Sequence, residues 1–279
     1  MIDLLHELFS YPFIVRAMVV GILVSLCAAL LGVSLVLKRY SMIGDGLSHV
    51  GFGALSVAMA LNLAPLQVAI PVVLVAAFLL LRLSETSSMK GDAAIAIISS
   101  SALAIGILVT SLSSGMNADV NSFLFGSILA VSESDVYLSV GVAVVVLVLY
   151  VLFYQQIFAI TFDETFARAS GMRVSLLTML LAALTAVTVV IGMRLMGALL
   201  ISSLIIFPAL TSMRLFRSYR GVTICSAVLS VVCFVVGLLL SFFYSFPTGA
   251  SVVVVNLVGF GVFSLLGFCK KGGFTRRKV

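Results

Sequence analysis

Apolar runs of about twenty residues recur along this 279-residue chain and are separated by short polar connections. A helix of about 20 residues crosses the hydrocarbon core of a bilayer. Continuous apolarity favours helices over barrel strands, which alternate residue by residue. Only 9% of the residues are charged and 62% are hydrophobic, which excludes the usual composition of a soluble domain. The sequence therefore predicts an all-α, polytopic membrane bundle in which residues 1–279 form a single transmembrane domain.

The predicted spans are the apolar runs between polar connections. They cover residues 14–37, 46–62, 65–82, 93–113, 135–154, 174–192, 195–213, 222–243 and 249–268. Nine helices is the expected number by the length rule, with eight as the alternative. Run 46–62 is short and dotted with glycine, and only Met193 and Arg194 separate two of the other spans.

The net charge of +6 has its explanation in membrane orientation, because the basic residues lie in small groups between apolar runs. Nucleic-acid binding would instead need a continuous basic surface. The groups fall at alternate connections: Lys38 with Arg39, Arg82 with Lys90, Arg168 with Arg173, Arg214 with Arg217 and Arg220, and the tail 270–278. Short cytoplasmic loops carry such an excess of Lys and Arg. We therefore expect the N-terminus outside and the C-terminus in the cytoplasm.

Asp45 and His49 are the first residues that could carry chemistry, since they lie at the start of the second predicted span. On a helix, residues four apart share one face. An ionisable residue inside the membrane is costly and is a functional hypothesis by default. Carboxylate and imidazole ligands suit manganese, iron or zinc. Alternatively, Asp45 could cap the helix and His49 could form hydrogen bonds within the bundle.

The polar segment 161–171 lies between the fifth and sixth predicted spans on the cytoplasmic side. Thr161 and Glu164 have the spacing of a capping box, and Gly171 is typical of a helix end. We therefore expect a helix of about nine residues. Its apolar face would carry Phe162, Phe166 and Ala169. Such a helix is too short to be stable alone, so it would dock on lipid headgroups or in a groove of a cytoplasmic partner.

The sequence lacks a phosphate-binding loop and a convincing catalytic triad. It has no Gly-x-x-x-x-Gly-Lys-Ser/Thr loop for nucleotide phosphates, so a nucleotide-driven step requires another chain. With only two histidines, no serine–histidine–acid arrangement is convincing, and we expect no enzymatic activity. Segment 117–127 returns to apolar character without enough length to cross, which favours a re-entrant or interfacial stretch.

Taken in order, these motifs resemble one family, the membrane permeases of ATP-binding-cassette importers for manganese, zinc and iron. The resemblance covers most of the chain. It rests on segments 44–49, 119–127, 162–171, 197–208 and 247–250. The sequence departs from the usual family pattern at Gly46, where alanine is common, and around Ser203 and Phe207.

The resemblance implies a function and a set of partners. The chain would be a bacterial inner-membrane permease that binds no permanent cofactor and transports a divalent metal ion. Its partners would be a cytoplasmic ATPase, an extracytoplasmic metal-binding protein and a second permease chain. Asp45 and His49 would contact the ion in transit. The residues that couple to the ATPase would be Phe162, Asp163, Glu164, Phe166, Arg168 and Gly171. A transporter driven by an ion gradient and a membrane scaffold without transport are the alternatives.

Overall fold

The structure is a computed structural model that describes residues 12–86, 91–113, 126 and 133–275. The described residues form eleven α-helices and no strand. In chain order these are α1 (Pro12–Leu37), α2 (Ile43–Ala60), α3 (Pro65–Thr86), α4 (Gly91–Leu112), α5 (Glu133–Leu152), α6 (Tyr154–Phe162), α7 (Glu164–Ala169), α8 (Val174–Met196), α9 (Ala198–Leu215), α10 (Tyr219–Tyr244) and α11 (Thr248–Thr275). The predicted all-α fold class is confirmed.

Seven of the described helices, namely α1, α3, α4, α8, α9, α10 and α11, are long and apolar enough to cross a membrane. Helices α5 and α6 meet at an angle of 66° and add an eighth span if they count as one broken span. The polytopic bundle predicted from the sequence is therefore confirmed. The predicted span 46–62 becomes α2, which is not among the seven. Most of α2 is buried against other helices, which allows it to carry polar side chains.

Helices α8 and α9 form a tight hairpin around Gly197. The sequence predicts the break at Met193 and Arg194, but α8 continues to Met196. Gly197 has φ +91°, a backbone conformation that glycine adopts without strain. The two helices then fold back on each other, since a Cβ at Gly192 would lie 2.5 Å from Ile201 Cδ1. Gly197, and not the Met193–Arg194 pair before it, therefore ends α8.

Helix α1 lies at the centre of the bundle, where it packs against α5, α8, α9 and α10. It approaches the backbone of α9 closely. A Cβ at Gly32 would lie 2.0 Å from the carbonyl oxygen of Ile205, so only glycine fits there. Helix α2 packs against α3, α4, α8 and α9. Helix α9 therefore contacts both α1 and the helix that carries Asp45 and His49.

Basic connections that are far apart in sequence come together at one end of the bundle. Lys38, which follows α1, pairs with Glu164 of α7. Tyr219 at the start of α10 packs on Phe162, with ring centroids 5.9 Å apart, and this contact brings the basic connection 214–220 to the same end. The clustering agrees with the positive-inside pattern. Which end faces the cytoplasm stays a prediction.

Candidate functional site

Asp45 and His49 lie on the first two turns of α2, where this helix packs against α9. The neighbouring Gly44 lies at the contact, since a Cβ there would be 2.8 Å from Ile205 Cδ1.

The two side chains form an open pair. His49 Nε2 and Asp45 Oδ2 are 3.6 Å apart, which is too long for a hydrogen bond. The gap suits a shared ion, because zinc ligands of these types lie about 2.0–2.2 Å from the metal. His49 Nδ1 is buried and has no hydrogen-bond partner. One face of α2 thus presents one oxygen and one nitrogen donor to the same point.

The capping alternative for Asp45 is wrong. Helix α2 begins at Ile43, two residues before Asp45, and its N-cap residue is Met42, whose side chain makes no capping bond. Asp45 therefore lies inside the first turn. A carboxylate at that position still interacts favourably with the helix dipole.

A serine of α9 lies close to the turn of α2 that carries Asp45. The Ser202 hydroxyl is 3.5 Å from Ser48 Oγ and donates to the Ala198 carbonyl of its own helix at 3.1 Å. Ser48 in turn donates to the Asp45 backbone carbonyl at 2.7 Å. The sequence gives no signal for Ser202, because a serine among the small residues of segment 197–208 is typical of helix packing. Only the packing of α9 on α2 shows where Ser202 lies.

One chain supplies few charged or imidazole donors. Within the residues that the structure describes, no group of three or more His, Cys, Asp and Glu side chains could hold a metal ion. A cation at Asp45 and His49 would need further ligands. Such ligands would be backbone carbonyls, hydroxyl groups, water or side chains of another chain. A sparse ligand set suits passage of an ion, because a transport site must release what it binds.

The second candidate region is α7, and its N-terminus differs from the prediction. Asp163, and not Thr161, is the N-cap, since its carboxylate accepts a hydrogen bond from the Phe166 N–H at 2.9 Å. The Thr161 hydroxyl donates to the Ile157 carbonyl inside α6, because α6 continues to Phe162. The capping-box prediction is therefore wrong. The helix has six residues where about nine are predicted.

Hydrogen bonds to the carboxylate also set the acidity of Asp163. The Thr165 hydroxyl donates to it at 2.6 Å, and this bond together with the Phe166 N–H lowers the pKa of Asp163. Both donors favour the charged form. The cap is thus ionised at neutral pH and complements the helix dipole.

Helix α7 docks on the bundle through a small residue and leaves its aromatic residues outside. Ala167 is fully buried in a cluster with Ile160 and Val174. Phe166 is 65% exposed, and Phe162, which ends α6, is also exposed. The predicted apolar face of Phe162, Phe166 and Ala169 therefore points away from the protein. It is available to a partner or to lipid.

The remaining predicted coupling residues lie around the same helix. Glu164 in the first turn pairs with Lys38, with Nζ and Oε1 2.5 Å apart. Arg168 is exposed in the last turn. Gly171 has φ +81° and follows the helix end, as predicted. The predicted re-entrant segment 117–127 lies outside the described residues except for Gly126, which has no room for a Cβ beside the Met196 carbonyl.

Comparison with known proteins places this architecture among transport proteins. Residues 10–267 match the family model described as ABC 3 transport family. The manganese import system permease protein ScaB of Streptococcus gordonii is 29% identical over 277 residues, covering 99% of each chain. The high-affinity zinc uptake system membrane protein ZnuB of Haemophilus influenzae is 30% identical over 241 residues, covering 86% of this chain and 92% of that relative. The solved structure of PsaBC from Streptococcus pneumoniae in complex with Fab superposes with a TM-score of 0.85 and 30% identity, covering 94% of this chain and 95% of that chain.

Proposed function

Because the chain belongs to the ABC 3 transport family, we propose that it is the membrane permease of an ATP-driven importer for a divalent transition-metal ion. The observation that carries the proposal is the open Asp45–His49 pair on the largely buried helix α2. Relatives of this chain are named for manganese and zinc uptake. An oxygen and an imidazole donor suit manganese, zinc and iron alike.

The transported ion would pass between Asp45 and His49. The pair leaves a gap that an ion can bridge, and His49 Nδ1 makes no hydrogen bond that would fix the ring in place. Since no third His, Cys, Asp or Glu side chain of the described residues joins this pair, the proposal includes a second permease chain, identical or related, that lines the same pathway. An extracytoplasmic metal-binding protein would deliver the ion. The proposed location is the bacterial inner membrane, with the N-terminus outside and the C-terminus in the cytoplasm.

Helix α7 would couple the permease to the ATPase subunit. The chain contains no phosphate-binding loop, so ATP hydrolysis belongs to a partner subunit. The exposed Phe166 and Phe162 would fill a groove on that ATPase, flanked by Asp163, Arg168 and Gly171. A short amphipathic helix seated in an apolar groove is a common mode of recognition.

Movement of α7 can reach the metal pair through direct contacts. Glu164 holds Lys38 at the end of α1, and α1 packs on α9 where Gly32 meets Ile205. Helix α9 in turn contacts the turn of α2 that carries Asp45, where Ser202 Oγ lies 3.5 Å from Ser48 Oγ. ATP binding would therefore shift the population between two arrangements of α1 and α9 around the site.

Transport by purified components in liposomes tests the proposal. Uptake of manganese or zinc should require this chain, the ATPase subunit and ATP. Asp45→Ala and His49→Ala should each abolish uptake while the protein inserts normally, whereas Ser203→Ala serves as a control because that hydroxyl bonds only within α9, to the Leu200 carbonyl. Metal uptake by the chain without ATPase would instead identify a transporter driven by an ion gradient. Unchanged uptake in both site variants would remove the proposed pathway.

A further inference from the structure

Tyr219, at the start of α10, contacts three other helices at once. It is 7% exposed. Its hydroxyl is hydrogen-bonded to the Ser34 hydroxyl of α1, with the two oxygens 2.9 Å apart, and to the Tyr150 hydroxyl of α5, with the oxygens 3.2 Å apart. Both partners are buried. Because a buried hydroxyl is costly without a partner, these two bonds hold the Tyr219 hydroxyl in place relative to α1 and α5.

The ring of Tyr219 lies along the third helix, α6. Tyr154, Phe158 and Phe162 are four residues apart, so they share one face of α6. The centroid of the Tyr219 ring lies 5.4, 5.1 and 5.9 Å from the centroids of these three rings, in the same order. Such separations are typical of favourable aromatic pairs. A shift or rotation of α6 would therefore change the contacts of Tyr219 directly.

Tyr219 also spans the bend between α5 and α6. The two helices meet at 66°, with Phe153 between them. The hydroxyl of Tyr219 bonds to α5 on one side of this bend, and the ring packs on α6 on the other. At the far end of α6, Asp163 is both the C-cap of α6 and the N-cap of α7. A movement of α7 thus passes to α6 without an intervening loop.

The same tyrosine holds α1 one turn before the ion pair of Lys38 and Glu164. The Lys38 N–H donates to the Ser34 carbonyl at 3.0 Å, so the two residues have helical spacing and share one face of α1. Tyr219 holds Ser34, and Glu164 of α7 holds Lys38. Gly32, two residues before Ser34, is the point where α1 meets the backbone of α9. The end of α1 that contacts α9 therefore has two attachments near α6 and α7.

We propose that Tyr219 is a positioning residue that makes α1 follow the movement of α6 and α7 during transport; this inference rests on the proposed function. The ATPase would move α7 and with it α6, whose aromatic face would displace the Tyr219 ring. The hydrogen bond to Ser34 would then move α1 as well. Without the hydroxyl, the ring would still pack on α6, but α1 would lose this attachment.

The test measures the number of metal ions transported per ATP hydrolysed by the complete permease–ATPase complex in liposomes, with Mn²⁺ and Zn²⁺ as the probes. Tyr219→Phe keeps the ring and removes both hydroxyl bonds. ATP hydrolysis should remain, whereas the ratio should fall about fivefold or more, since loss of one or two buried hydrogen bonds changes an equilibrium by about this factor. Ser34→Ala should also lower the ratio. The double variant should be no worse than Tyr219→Phe alone, because both substitutions remove the same bond.

The matched control is Ser230→Ala. The Ser230 hydroxyl of α10 donates to the Ser25 carbonyl of α1 at 3.0 Å, so this variant also removes a buried hydrogen bond between the same two helices. Ser230 lies about 16 Å further along α10 than Tyr219. Ser230→Ala should lower the melting temperature of the complex about as much as Tyr219→Phe does, and it should leave the ratio of metal to ATP unchanged.

The possible results separate this inference from the proposed function. If the unaltered complex takes up neither ion with ATP, the proposed function fails and the inference falls with it. If the complex transports metal and Tyr219→Phe keeps the ratio of the unaltered protein, only the inference is overturned. It is also overturned if uptake and ATP hydrolysis fall in the same proportion, or if Ser230→Ala lowers the ratio equally, because a merely structural role has those effects. If Tyr219→Phe does not fold, Ser34→Ala decides by the same ratio.

Discussion

The substitution Glu164→Gln removes the carboxylate that neutralises Lys38. The Lys38 side chain is only 5% exposed, whereas Glu164 is 44% exposed. Once the carboxylate is gone, the recorded contact of the ammonium group is the Thr178 hydroxyl at 3.5 Å. An exposed pair contributes about 0–1 kcal/mol, and breaking a buried pair costs about 3–5 kcal/mol. For a pair buried on one side only, we expect about 1–2 kcal/mol against the docked state of α7.

The lost stabilisation should raise the equilibrium population of opened α7. A change of 1–2 kcal/mol alters an equilibrium about 5- to 30-fold, and amide hydrogen exchange reports such local opening. The relevant amides are those of Ala167, which donates to the Asp163 carbonyl, and Ser170, which donates to the Phe166 carbonyl. In Glu164→Gln their exchange, followed by mass spectrometry of the full chain in lipid nanodiscs, should accelerate by that factor.

The unequal burial of Lys38 and Glu164 also predicts that the two single substitutions have unequal effects. Lys38→Met should accelerate exchange much less than Glu164→Gln, because it leaves a half-exposed carboxylate that water can solvate and replaces the buried cation with an apolar side chain. The double variant should behave like Lys38→Met alone.

The matched control is Glu133→Gln, which breaks the pair between Arg16 and Glu133 on the opposite end of α1. Both of those side chains are well exposed, so α7 exchange should not change. Exchange in Glu164→Gln within twofold of the unaltered protein, or an equal effect of Lys38→Met, would refute the reasoning.

Three further predictions follow from the same structure. Phe166→Asp should release the ATPase subunit in a pull-down, because a charge would enter the proposed apolar groove. The control is Phe246→Asp, which changes an exposed phenylalanine in the connection between α10 and α11 and should not release the ATPase. Equal retention of the ATPase by both variants would favour lipid contact of α7. Because the pKa of Asp163 is lowered in the folded protein, its capping contribution is present above the unfolded pKa of about 3.9 and is lost as pH falls through the lower folded value. Amide exchange in α7, corrected for intrinsic rates, should therefore accelerate only in acid, below about pH 4. Asp163→Asn should remove this pH dependence, and a transition near neutral pH would contradict the assignment. Gly32→Ala should destabilise the bundle by about 1–3 kcal/mol or more and lower the melting temperature of the purified protein, because overpacking would force α1 away from the Ile205 carbonyl. Gly261→Ala should leave the melting temperature unchanged, because a Cβ at Gly261 meets nothing within 4 Å.

The fold class could be predicted from the sequence because the bilayer imposes its requirement locally. Each apolar run must satisfy its own backbone hydrogen bonds, so its length and continuity identify a helix without knowledge of any neighbour. The short helix near Phe166 could also be predicted, since it depends on residues within one turn. Its start was wrong by two residues. Thr161 and Asp163 are both good capping residues, and only the continuation of α6 to Phe162 decides between them.

The pairing of Asp45 with His49 is likewise a local property, because residues four apart share a helix face. What lies opposite them is not local. Ser202 is 157 positions beyond Asp45 along the chain, and its hydroxyl comes within 3.5 Å of Ser48 Oγ only because α9 packs against α2. The same holds for Lys38 and Glu164, which are separated by 126 positions and are joined at the end of the bundle.

The sequence by itself determined that this is a polytopic helical membrane protein, and it identified the polar pair that the membrane makes costly. The tertiary structure decided which side chains surround that pair, where the ends of α8 and α9 meet, and which face of α7 is left open. The physical reason is the range of the interactions. Hydrophobic length and helical spacing act within one segment, whereas a hydrogen bond or ion pair between helices depends on packing that no single segment contains.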